Sequence, residues 1–80
     1  MDATVKFLLQ SEKAVAAVRL NELKKKQFFG KLAKDAKKLG AENANYQLMV
    51  HEAERQIEIL EQVLREIRAK LKSANVVGTT

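Results

Sequence analysis

Between residues 46 and 74 the apolar side chains recur at alternating steps of four and three: Tyr46, Val50, Ala53, Ile57, Leu60, Leu64, Ile67, Leu71 and Ala74. An α-helix turns once every 3.6 residues, so this spacing lines all nine along one side of a cylinder. A seam held through four heptads needs another helix to cover it. The spacing therefore predicts a helix over 42–74. Glu61 with Arg65, and Glu66 with Lys70, are i,i+4 pairs in the order that favours such a helix.

Upstream, Leu39-Gly40-Ala41-Glu42-Asn43 reads as a turn. Gly40 suits the left-handed position just past a helix end, and Lys37 and Lys38 stand where the C-terminal dipole favours cations. Asn43 or Asn45 is the expected cap of the next helix. The alternative is one continuous helix through Gly40, at a cost of about 1 kcal/mol. Beyond Ala74, Gly78 and its β-branched neighbours predict a frayed tail over 76–80.

Residues 4–39 are also expected to be helical, and they carry two apolar stripes. One is Val5, Leu9, Ala16, Leu20 and Leu23; the other is Phe7, Ala14, Val18, Phe29, Leu32, Ala36 and Leu39. The stripes lie roughly half a turn apart on the cylinder. The first fades where Gln27 and Gly30 take its positions, which allows a break near residues 24–30 and a three-helix bundle. The matched lengths of 4–39 and 42–74 favour an all-α fold, an antiparallel two-helix hairpin or coiled coil with residue i opposite roughly 81 − i. The whole forms one domain over 1–75. A single mate covers only one stripe, so the hairpin is expected to be completed by oligomerisation through Val5, Leu9, Ala16, Leu20 and Leu23.

Size strengthens that expectation. A chain of 80 residues buries only about 60% of the surface its unfolded form exposes, and small domains compensate with disulfides, a metal or a partner. There is no Cys, and His51 is the only His, which removes disulfides and structural zinc sites and leaves association. The absence of Cys fits an intracellular, cytoplasmic chain. No run of about 18 apolar residues is present to span a bilayer. The start, Met1-Asp2-Ala3-Thr4, lacks the layout of a secretory signal. With no Pro and only three Gly, the composition is that of long helices.

The net charge of +5 is unevenly spread. Residues 19–38 hold eight basic and two acidic side chains, a net +6, and residues 39–62 hold five acidic and one basic, a net −4. In a hairpin these segments lie side by side, so Lys24, Lys25, Lys26, Lys31, Lys34, Lys37 and Lys38 are expected to set the antiparallel register against the acidic segment. The competing reading is an anionic partner: nucleic acid, or an acidic membrane surface met by residues 24–39, where Gln27 to Lys34 resembles a basic amphipathic helix. One Tyr and three Phe argue against base-stacking platforms for single strands.

Motifs for catalysis are missing from the pattern. No phosphate loop or nucleophile elbow occurs, and His51, flanked by Glu52 and Glu54, reads as a solvated surface residue. Thr4 and Ser11 are modifiable hydroxyls without a surrounding motif. Leu48 and Ile59, three turns apart opposite the seam of the second helix, hint at a further contact surface. Leu8-Leu9-Gln10-Ser11-Glu12-Lys13 resembles the start of the peripheral-stalk G subunit of V-type ATPases. Gly40-Ala41-Glu42-Asn43 with Ile57 and Leu60 is similar to antiparallel coiled-coil repeats that bind Rho GTPases. Each likeness covers a fragment that any coiled coil favours, so no family is assigned. The expected function is non-enzymatic: a self-associating helical module, a small subunit or adaptor of a larger assembly, without cofactor, metal or small-molecule substrate. The alternative is a basic helical nucleic-acid-binding protein.

Overall fold

A computed structural model describes the backbone of residues 2–79 and the side chains of residues 2–74. Helix α1 spans Ala3–Lys38 and helix α2 spans Ala44–Thr79, 36 residues each, with no strand among the described residues. They pack side by side into a rod 63 × 15 × 13 Å, with a radius of gyration of 18.1 Å. A compact domain of this length would have a radius of about 12 Å. The all-α hairpin expected from the sequence is what forms.

The ends of α1 follow from local chemistry. Asp2 is its N-cap, accepting a hydrogen bond from the Thr4 amide on Oδ1 at 3.2 Å, while its carbonyl accepts from Lys6 N–H at 3.0 Å. At the other end the Ala41 amide donates to the Ala36 carbonyl (2.8 Å) and the Gly40 amide to the Lys37 carbonyl (3.1 Å), with Gly40 at φ 71°. These two bonds are the 6→1 and 5→2 pair of a Schellman cap, whose left-handed residue costs glycine nothing. The continuous helix through Gly40 is thereby excluded. So is a break at 24–30, because α1 passes unbroken through Gly30. Asn43 holds the cap position of α2, its carbonyl accepting from Gln47 N–H at 3.0 Å. Its side-chain amide reaches back instead to the Ala33 carbonyl of α1 at 3.3 Å. At the far end α2 continues to Thr79, past the expected boundary at 74, since no Pro interrupts its hydrogen-bond ladder.

On α2 all nine seam residues face α1: Ala53, Ile57, Leu64, Ile67 and Leu71 are buried, and Tyr46, Val50, Leu60 and Ala74 half-buried. Helix α1 differs from expectation. Its contact line starts on the first stripe at Val5, runs between the stripes through Leu8, Glu12, Val15, Arg19, Glu22 and Lys26, and reaches the second stripe at Phe29 and Ala36, with Ala33 between them, at strict steps of three and four. Only Ala33 and Ala36 on α1 are buried. The inner edges of both stripes touch α2: Val5, Ala16 and Leu23 on one side, Phe29 and Leu32 on the other, are half-buried. No single stripe is covered at the expense of the other.

The charges on that line explain the placement. Arg68 Nε donates to Glu12 Oε2 at 3.0 Å, Arg19 Nε donates to Glu61 Oε1 at 3.3 Å, and Lys26 Nζ lies 3.6 Å from Glu54 Oε2. The residue numbers of each pair add to 80, and the pairs are one heptad apart. This is the register of the hairpin, one residue from the expected 81 − i. A slip by one residue would break all three contacts together. Glu61 is therefore engaged across the interface and not with Arg65, which donates to Gln62 Oε1 at 2.6 Å. Glu66 in turn accepts from Gln62 Nε2 at 3.3 Å and forms no ion pair with Lys70.

Candidate interaction surface

Because the contact line runs between the stripes, their outer edges are left in solvent. Leu9 (40% exposed) and Leu20 (51%) project on one side of the rod, and Phe7 (66%) and Val18 (49%) on the other, roughly a quarter-turn or more from the contact line. Toward the turn, Phe28 and Leu39 are exposed by 60% and 85%. Among the described residues, six of the eight large exposed apolar side chains thus belong to α1 or its C-cap, and Leu48 and Ile59 to α2. Of the stripe expected to meet a partner, Leu9 and Leu20 are accessible, whereas Val5, Ala16 and Leu23 are partly occupied by α2. Sequence periodicity missed Leu8 and Val15, which sit on the contact line but are separated there by charged residues.

The lysines divide into two groups. Lys26 bridges to Glu54 across the hairpin, and Lys25 Nζ lies 3.7 Å from Glu22 Oε1 within α1. Among the described residues no carboxylate pairs with Lys24, Lys31, Lys34, Lys37 or Lys38, all of them exposed. Register is held by Lys26, Arg19 and Arg68, two of which lay outside the lysine set expected to do it. The lysines farther along α1 sit on the flanks or outer side of the helix, and among the described residues none lies within 4.0 Å of a carboxylate of α2.

An open groove of about 470 Å³ runs along one side of the hairpin, its lining formed by Leu23, Gln27, Gly30 and Val50 together with Lys26, Lys31 and Lys34. His51 is exposed and its Nδ1 lies 3.2 Å from Glu54 Oε1, one turn away on the same helix. Among the described residues no group of three or more His, Cys, Asp or Glu is arranged to hold a metal ion. Among them, too, no helix is long and apolar enough to cross a membrane. No family model, curated protein or solved structure matches the chain.

Proposed function

We propose that this chain is a non-enzymatic assembly module, a cytoplasmic small subunit or adaptor that self-associates through the exposed apolar edges of α1. The observation that carries this reading is an excess of surface. The chain exposes 6337 Å², whereas a compact monomer of its mass exposes about 4,900 Å². The difference of roughly 1,400 Å² exceeds the ~800 Å² that each partner contributes to a standard interface. Part of the exposed area is large aliphatic and aromatic side chains grouped on one helix, the kind of strip that marks contact surfaces. A symmetric pair of hairpins, with coiled-coil packing between them, is the commonest arrangement for burying such edges.

Leu9 and Leu20 stand eleven residues apart, three turns along the same edge, so one facing helix meets both. The test is light scattering on Leu9→Glu combined with Leu20→Glu. Both side chains are far enough from the contact line for the hairpin itself to persist. The expected result is dissociation with helicity retained. A dimer unaffected by the double change moves the interface to the Phe7 and Val18 edge or to Leu48 and Ile59. A wild type that is folded and monomeric removes the reading.

A further inference from the structure

The lysines left over from the register, together with Phe28 and Leu39, form a feature that self-association through the first half of α1 does not use. At about 100° per residue, Lys24, Phe28, Lys31, Asp35 and Lys38 fall on the side of α1 turned away from α2, and Leu39, the C-cap, stands at the flank of that face. Lys24, Lys31 and Lys38 are spaced by one heptad and make a nearly straight row. Phe28 and Leu39 lie three turns apart beside that row, exposed by 60% and 85%. Asp35 is the one acidic side chain on this face. The Phe28 ring stands edge-on to Phe29, centroids 5.2 Å apart, so it is propped outward by a half-buried neighbour.

We infer that this outer face of α1 is a docking surface for an anionic phospholipid bilayer, on which the hairpin lies flat. Two chemistries have to be matched at once. The row of lysines, free of carboxylate partners, fits a plane of phosphate and carboxylate headgroups, which accepts cations at any spacing. Phe28 and Leu39 fit the boundary between headgroups and acyl chains, where an amphipathic helix buries apolar side chains while its lysines stay at the polar level. A nucleic-acid backbone satisfies the lysines but sets a hydrated polar surface against Phe28 and Leu39. An acidic protein would need an apolar strip of matching shape. The hairpin is suited to lying on the surface: no described helix is apolar enough to cross, and α2 stands on the far side of the rod with the acidic segment.

The experiment is vesicle flotation of the full chain with phosphatidylcholine alone and with roughly 30 mol% phosphatidylserine, at low and physiological salt. The expected result is partitioning at least about tenfold stronger to the anionic vesicles, weakening as salt rises. Lys24→Glu, Lys31→Glu and Lys38→Glu together should abolish it. Phe28→Ser with Leu39→Ser should lower it by about tenfold or more, with the circular dichroism of the free chain unchanged because neither side chain is in the seam. Equal binding to neutral and anionic vesicles, or none to either, overturns the inference. So does wild-type binding by the Phe28 and Leu39 variant, which would leave only nonspecific charge attraction. Binding to mixed DNA or RNA that depends on the lysines but not on Phe28 and Leu39, without vesicle binding, assigns the face to nucleic acid instead.

Discussion

Replacing Leu64 with Ala tests whether the seam of α2 is the core. Leu64 is 3% exposed, and by the register of the ion pairs it stands level with Ala16 of α1. Removing a buried leucine to its β-carbon costs about 2–5 kcal/mol, more where the cavity cannot close. The rod is only two helices thick, so the gap borders solvent and the helices are free to move together, which places the cost near about 2–3 kcal/mol. A domain of this size has a total stability of about 4–12 kcal/mol. Each kcal/mol shifts the midpoint of so short a chain by about 4–8 °C. Thermal unfolding followed by circular dichroism at fixed chain concentration should therefore show a drop of about 10–20 °C. The control is Ile59→Ala: Ile59 is 50% exposed on the opposite side of α2, and its loss should stay within about 0.5 kcal/mol. An unchanged midpoint for Leu64→Ala, or equal damage from both variants, would refute the packing described.

The ladder of ion pairs should behave as a register device of modest strength. Arg19→Glu should destabilise the hairpin and Glu61→Arg should recover part of the loss, with a coupling of about 0.2–1 kcal/mol in a double-mutant cycle, since both side chains are about two-fifths exposed. Reversing Lys31, Lys34 and Lys38 to Glu, by contrast, should leave the unfolding midpoint nearly unchanged, because none bridges to α2; a large loss would restore them to the register. The two described glycines should respond in opposite directions. Gly30 lies inside α1 with open space around a built Cβ, so Gly30→Ala should raise stability by about 0.5–1 kcal/mol. Gly40→Ala meets the same open space but must hold φ 71°, and should lower stability by about 1–2 kcal/mol in urea titration.

The two helices differ in how openly their sequences state their packing. In α2 the inward residues are almost all apolar, so hydrophobic spacing alone identifies the face. In α1 the inward line alternates apolar residues such as Leu8 and Val15 with Glu12, Arg19, Glu22 and Lys26, and the most visible stripes flank it. A reading based on apolar periodicity puts the contact on one stripe or the other, when the physical solution is to straddle them. The missing signal was present as charge: Glu12, Arg19 and Lys26 repeat by seven, and Arg68, Glu61 and Glu54 repeat by seven in the reverse order with opposite sign. Complementarity at a constant residue sum identifies both the face and the register. The turn is legible because Gly40 has a conformational reason to be there, while Asp2, the N-cap of α1, carries an Asp signature that surface loops share. Leu9 and Leu20 were recognisable as surplus apolar surface, but their exposure depends on where α2 lies, which only the packed hairpin reveals.

The most direct test of the central claim is the mass of the unmodified chain by sedimentation equilibrium, from sub-micromolar to high micromolar concentration and at low and high salt. If the exposed edges of α1 are contact surfaces, the mass rises to twice 9.0 kDa or more and holds at high salt, since apolar burial is not screened. A folded chain that remains at 9.0 kDa under every condition would contradict the account.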